Sequence, residues 1–262
     1  MNNQRIVLAS RPAAEPTTAN FRLEEVALAP LEDGQVRVKH HYLSLDPYMR
    51  GRMNDAKSYA QPQPLNETMI GGTVGEVVES RNTKFSVGDK VVGMGGWQQY
   101  STASGKGDIS KVDTTHIPLS AYLGSVGMPG MTAWYGLMKI CEPKAGETVC
   151  VDAASGAVGS VVGQLAKLKG MHVVGIAGGV EKCAYVKNEL GFDDCIDYKA
   201  FPDPKAFYSA LKAVTPRGID CHFENVGGTI MDAVMLRMNA FGRVAMCGMI
   251  SGYNGAPIPM MA

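Results

Sequence analysis

The sequence predicts an α/β protein in which a β-rich first half precedes a doubly wound parallel sheet. Three observations carry this. Near residue 125 the chain changes from short alternating runs to regular alternation of strand and helix signals. The second half holds five strand-like runs with helical spacing between them, the pattern of a parallel sheet covered on both faces. Glycine is frequent, 31 of 262 residues, without a three-residue period, so it marks tight turns and close backbone approaches. The expected division is residues 1–125 and 126–262.

In the first half, residues 35–40 alternate strictly, Val36 and Val38 against Arg37 and Lys39, as a half-buried strand does. Residues 72–79 form a second strand candidate, and 88–93 a turn feeding a third. Short strands at this spacing favour an antiparallel barrel or sandwich. In the second half, strands are expected at 147–154, 172–178, 195–198, 219–226 and 243–250. Helices are expected at 157–169, from 179 to 190, at 205–214 and at 231–238.

Composition excludes several classes. Apolar residues are 45%, charged residues 19%, and 25 basic residues balance 25 acidic ones. That is too apolar and too neutral for disorder. It leaves no electrostatic footprint for nucleic acid or an anionic membrane. The six cysteines, Cys141, Cys150, Cys183, Cys195, Cys221 and Cys247, form no CxxC and read as reduced core thiols. The first residues lack the apolar run of a signal peptide, and no stretch is apolar over a bilayer's width, so a cytoplasmic location is expected.

The sharpest local signal is Val151-Asp152-Ala153-Ala154-Ser155-Gly156-Ala157-Val158-Gly159, which leaves the first strand of the second half and opens its first helix. That is the context a dinucleotide fingerprint requires. Small residues let the backbone approach a pyrophosphate, and a helix N-terminus offers N–H groups and a favourable dipole. Gly159 and Gly163 would let the helix sit close on the sheet. Ala154 stands where the usual first glycine would be, so a purely structural turn is the alternative. The next strand ends Gly175-Ile176-Ala177-Gly178-Gly179 without the carboxylate that holds the ribose 2′-hydroxyl of NAD. Lys182 follows within the next helical turn, beside Glu181. A missing acid and a nearby lysine favour NADP over NAD.

These motifs belong to a longer set that runs nearly end to end. It includes Leu43-Ser44-Leu45-Asp46-Pro47-Tyr48-Met49-Arg50-Gly51-Arg52-Met53 and Gly127-Met128-Pro129-Gly130-Met131-Thr132-Ala133-Trp134-Tyr135-Gly136-Leu137. It continues with Ala157-Val158-Gly159-Ser160-Val161-Val162-Gly163-Gln164, Glu224-Asn225-Val226-Gly227-Gly228, and Cys247-Gly248-Met249-Ile250-Ser251-Gly252-Tyr253-Asn254. In this order they resemble the medium-chain dehydrogenase/reductase superfamily, in its zinc-independent branch of prostaglandin reductases, leukotriene B4 dehydrogenases and plant double-bond reductases. Within it, the chain is similar to the bacterial NADPH-dependent curcumin reductases.

The resemblance implies a GroES-like catalytic domain followed by a Rossmann domain, with NADP(H) in the cleft between them. By position, Gly156, Ala157, Val158 and Gly159 would hold the pyrophosphate, and Lys182 and Tyr198 would contact the 2′-phosphate side. Asn225, Cys247, Gly248, Ser251 and Tyr253 would line the nicotinamide half, and Thr132 would border the cofactor. Tyr48 and Arg50 fall in the loop expected to wall the substrate pocket, to which Trp97 would add an aromatic wall unless it is a packed turn residue. Zinc-dependent relatives carry Gly-His-Glu and a ligating cysteine in the first domain. Here Gly71-Gly72-Thr73 stands instead, no cysteine precedes Cys141, and no histidine is seen to pair with Cys or Glu at ligand spacing. No metal is expected.

Without a metal, hydride must go to a carbon that is already electrophilic. An α,β-unsaturated ketone or aldehyde fits, because attack at the β-carbon leaves an enolate that hydrogen-bond donors stabilise. A phenol, titrating near ~10, is a suitable donor; Tyr253 is the first candidate and Tyr48 the second, with solvent water open as the final acid. Two alternatives stay open: a quinone or carbonyl oxidoreductase on the same fold, and a non-catalytic NADP-binding protein. The resemblance also implies a sixth Rossmann strand, a return to the first domain, and a homodimer in the full-length form. The sequence ends before that strand, so five of six strands and an incomplete first domain are expected, with weak activity and apolar surface exposed where the return would pack.

Overall fold

The computed structural model describes residues 2–255. The chain divides into two compact units between Leu123 and Gly124.

The first unit is β-rich because its apolar residues alternate. β1 (Asn2–Leu8) pairs antiparallel with β2 (Phe21–Ala27), Leu8 opposite Phe21. A second, five-stranded antiparallel sheet follows. It contains β3 (Val36–Leu43), then, after the short helix α1 (Tyr48–Arg52), β4 (Thr73–Ser80), β5 (Lys90–Gly93), β6 (Tyr100–Ala103) and β7 (Ile109–Lys111). Their order is β6-β3-β4-β5-β7. Val36, Val38, Val77, Phe85, Val91 and Ala103 form its core. Arg37 departs from the alternation: it is buried too, with its guanidinium donating to the Ala29 carbonyl and to Thr102 Oγ1. Leu8, Met49, Met53 and Met69 make a second cluster.

The second unit opens with α2 (Met128–Tyr135), whose last turn widens over Gly136–Cys141. Then come β8 (Thr148–Val151), α3 (Gly159–Leu168), β9 (His172–Ala177), α4 (Val180–Asn188), β10 (Asp194–Asp197), α5 (Pro204–Val214), β11 (Ile219–Glu224), α6 (Gly228–Met235) and β12 (Met238–Met246). The sheet is parallel with order β10-β9-β8-β11-β12. The winding reverses between β8 and β11, so the carboxyl ends of these two strands form the switch point at which such sheets bind ligands. Val149, Val151, Val173 and Phe223 pack on one face; Cys150, Ile176, Ile196 and Leu211 pack on the other.

The strands expected at 147–154 and 219–226 are shorter, ending at Val151 and Glu224 where the chain turns, and two further elements are displaced. The last helix lies at Gly228–Met235, not 231–238, because Gly227 and Gly228 take positive φ and start it early. The last strand lies at Met238–Met246, not 243–250. Its start carries a bulge: Met238 pairs with Ile219 and Arg243 with Cys221, leaving Phe241 at φ 62° and almost fully exposed. Residues 247–253 are therefore a turn beyond the sheet, rather than its last strand.

Candidate functional site

At the end of β8 the chain passes through Asp152 and reverses at Ala153, a non-glycine residue at φ 43°. Ala154 N–H donates to Ile176 O (3.1 Å) and Gly156 N–H to Ala153 O (2.8 Å). The first bonds of α3 run from Ser160 to Gly156 and from Val162 to Val158, so the amides of Ala157, Val158 and Gly159 precede them. Such leading N–H groups are the donors with which a helix start holds an anion. A Cβ on Gly159 would lie 2.5 Å from Ala153 O, so only glycine allows this turn to close. A Cβ on Gly163 would collide with the Phe192 ring, the surface on which α3 rests.

Asn225, one residue beyond β11, is fixed by Asp152. Its backbone N–H and side-chain Nδ2 donate to Asp152 Oδ1 at 2.7 and 3.1 Å, and Val226 N–H donates to Oδ2 at 3.2 Å. Glu224 Oε1 accepts from Val226 N–H (2.6 Å) and Gly227 N–H (2.7 Å). The expectation that no histidine pairs with Cys or Glu is overturned here. His222 Nε2 lies 3.0 Å from Glu224 Oε2, and its Nδ1 lies 3.0 Å from the Cys150 carbonyl. Alternate residues of a strand share a face, so His222 and Glu224 point the same way, toward Asp152. Burial, with Glu224 alongside, pushes the Asp152 carboxyl up to about 9. Burial opposes ionising Glu224 as well, but hydrogen bonds from His222 and Asp152 overcome it and hold Glu224 at about 2.

The 247–253 turn hangs on this one. Cys247 and Gly248 N–H donate to Glu224 O, Ile250 N–H to Asn225 O, and Ser251 through N–H and Oγ to Val226 O. Tyr253 folds back so that its Oη accepts from Met249 N–H at 3.2 Å, beside Gly248, where a Cβ would come within 2.7 Å of that oxygen. Asn225, Cys247, Gly248, Ser251 and Tyr253 are thus brought together. Thr132, whose hydroxyl donates to Met128 O, joins Cys247 on the wall of a cavity of about 320 Å³ otherwise lined by apolar groups such as Met131, Phe223 and Met246.

At the end of β9 the Tyr198 ring packs over Gly178, where a Cβ would lie 2.8 Å from it. Asp197 is the nearest acid in sequence to Tyr198, and its Oδ1 is taken by the N–H groups of Gly179 and Lys199. Lys182 is exposed in the first turn of α4.

In the first unit, Tyr48 begins α1, and burial reinforced by Asp46 pushes its phenol up. Arg50 donates to Asn54 Oδ1 and the Ala14 carbonyl. Trp97 stacks on Phe21 (5.4 Å between centroids) against the Met49 and Met69 cluster, as a packed turn residue does. Asp152, His222 and Glu224 are the residues the sequence reading missed. The available signal was the His-x-Glu spacing on a strand that leads into the Asn225 motif.

Residues 4–112 match the family described as the N-terminal domain of oxidoreductase, and residues 157–262 the family described as zinc-binding dehydrogenase. The chain is 48% identical over 257 residues to the NADPH-dependent curcumin reductase of Escherichia coli, covering 98% of this chain and 73% of that protein. It is 44% identical over 258 residues to an NADP(+)-dependent 2-alkenal reductase of Nicotiana tabacum, covering 97% and 74%. The crystal structure of CurA in complex with NADPH from Vibrio vulnificus superposes with a TM-score of 0.92 at 48% identity, covering 99% of this chain and 75% of that one.

A zinc centre, implied by the name of the second family, does not fit these residues. Among the described residues, one group of three potential ligands comes together, Asp152, His222 and Glu224, and each candidate ligand atom already has a hydrogen-bond partner. The first unit offers no cysteine. No helix among the described residues is long and apolar enough to cross a membrane. The chain belongs to the medium-chain dehydrogenase/reductase family of oxidoreductases, in the branch that holds curcumin reductase and 2-alkenal reductase.

Proposed function

We propose that the protein uses NADPH to reduce the carbon–carbon double bond of α,β-unsaturated ketones and aldehydes. The observation that carries this reading is the coupling of two turns at the switch point, Asn225 and the 247–253 turn, beside the small-residue turn into α3. The names of the two relatives, curcumin reductase and 2-alkenal reductase, support the substrate class.

When bound, the dinucleotide supplies a hydride for the substrate's β-carbon. This chain's own groups do the rest. The amides of Ala157, Val158 and Gly159, with the α3 dipole, take the pyrophosphate. Lys182 and Tyr198 take the 2′-phosphate side, where β9 offers no carboxylate. Asn225, Cys247, Gly248 and Ser251 orient the nicotinamide half, with Thr132 at its border. Tyr253 accepts from Met249 N–H and so keeps its own proton for the enolate oxygen; Tyr48 of the first unit is the second candidate for that role. Tyr48 and Arg50 wall the substrate pocket. Trp97, packed on Phe21, shares with Tyr48 the cluster of Leu8, Met49, Met53 and Met69 and so anchors that loop. No step calls on a metal.

Fluorescence titration with NADPH and NADH, followed by NADPH consumption with a 2-alkenal, a quinone and a saturated aldehyde, tests the reading. Preference for NADPH and turnover of the 2-alkenal are expected. Consumption only with the quinone or the saturated aldehyde would overturn it, and binding without turnover would assign a non-catalytic role.

A further inference from the structure

Asp152, His222 and Glu224 are each 0% exposed, and the chemistry assigned above uses none of them. Their hydrogen bonds fix where the protons lie. The Cys150 carbonyl can only accept, so His222 Nδ1 carries a proton toward it. With that proton alone the group would hold two negative charges in a fully buried site, a costly state. Two further protons make it neutral. One lies between His222 Nε2 and Glu224 Oε2, 3.0 Å apart. The other lies on Asp152, facing Glu224. Asp152 Oδ1 accepts twice from Asn225, whereas Oδ2 accepts once and at longer range, from Val226 N–H at 3.2 Å, so Oδ2 is the oxygen that carries the proton.

The neutral group points outward through backbone. Asp152 and Glu224 between them take the N–H groups of Asn225, Val226 and Gly227. The carbonyls of Glu224, Asn225 and Val226 in turn take the N–H groups of Cys247, Gly248, Ile250 and Ser251.

We propose that Asp152, His222 and Glu224 form a proton-sharing positioning network that sets the nicotinamide half of the cofactor site through the 225–227 turn and the 247–253 turn hung on it. The proposal rests on reading those turns as the nicotinamide half. It separates the two halves of the site: the network touches neither Lys182 nor Tyr198, so it orders one end of the dinucleotide and leaves the other alone. A neutral Asp152 accepts at Oδ1 and donates from Oδ2, which asparagine reproduces and leucine or alanine does not; the acceptor that asparagine gives up, Oδ2 for Val226 N–H at 3.2 Å, is covered by Glu224 Oε1 at 2.6 Å.

The test compares wild type, D152N, D152L and D152A, each titrated with NADPH and with 2′,5′-ADP, which carries only the adenosine end. Wild type binds both. D152L and D152A bind NADPH about tenfold or more weakly, because buried N–H groups lose their acceptor, while 2′,5′-ADP affinity is unchanged. D152N behaves as wild type with both ligands. Equal losses for both ligands in D152L and D152A would make the network a general support of the fold and overturn the proposal. So would undiminished NADPH binding, or D152N behaving as D152L. Wild type binding neither ligand would overturn the cofactor-site reading itself, and the network's role with it.

Discussion

Asp152 holds Asn225 at three points: Oδ1 accepts the backbone N–H at 2.7 Å and the side-chain amide at 3.1 Å, and the Asp152 carbonyl accepts that amide again at 3.1 Å. A strand end is thereby tied to the turn of its neighbour across the switch point. The two residues lie 73 positions apart in sequence.

This tie has a pH signature. Burial and the neighbouring Glu224 raise Asp152 from 3.8 to about 9, so between those values the folded chain keeps a proton that the unfolded chain releases. Stability therefore falls as pH rises through that window. Glu224 acts in the opposite sense: held at about 2 in the fold, its contribution is present above 4.5 and is lost as pH falls toward 2. D152N has no proton to release, so its melting temperature relative to wild type should climb as pH is raised across the Asp152 window. Melting curves for the two proteins that stay parallel over that window would refute a neutral Asp152.

Gly163 is needed because α3 lies against the Phe192 ring. G163A gains helix propensity of about 1 kcal/mol but overpacks the contact, at a cost of about 1–3 kcal/mol. Urea denaturation should show a net loss, and the double variant G163A/F192L, which opens the space, should recover most of it. If F192L does not rescue G163A, the clash lies elsewhere.

What was legible in the sequence follows from the range of the interaction that sets each feature. β3 and β4 show in alternation, because Val36, Val38 and Val77 face one core while their neighbours mostly do not. The turn into α3 shows in its small residues, because a local close approach demands them. The early start of β12 does not show: its bulge lies where the Asp220 carboxylate accepts from Asn239 Nδ2 across the strand pair, a contact between residues distant in sequence. Likewise nothing local marks Asp152 as neutral, since its state is decided by burial in the assembled sheet and by Glu224 on another strand. Thr132 and Cys247 meet on one cavity wall for the same reason: β12 brings its end to α2 only once the sheet is assembled.

Cofactor choice is predicted to rest on Lys182. β9 ends without a carboxylate, and the Asp197 oxygen facing that end is occupied by Gly179 and Lys199 N–H. Lys182 is exposed there beside Glu181, and the side chain of exposed Lys199 passes Gly178 at the same end, so Lys182 is the lysine of α4 that would meet a phosphate, with Lys199 across from it. K182A should weaken NADPH by about tenfold, the size of one charge-assisted hydrogen bond, and leave NADH unchanged. Equal effects on the two dinucleotides would remove Lys182 from the 2′-phosphate.

Tyr253 carries the last prediction. Its Oη accepts from Met249 N–H, which fixes the oxygen and leaves the phenolic proton for a substrate oxygen. Y253F removes both functions, and they separate kinetically. Loss of the acceptor loosens the 247–253 turn by about 1 kcal/mol, which should weaken NADPH binding less than about tenfold. Loss of the proton donor should lower kcat for a 2-alkenal by about 100-fold or more. If kcat stays near wild type while NADPH affinity falls, Tyr253 only shapes the turn and water protonates the enolate. If kcat falls and NADPH affinity holds, the phenol is the acid, and its bond to Met249 serves to aim it.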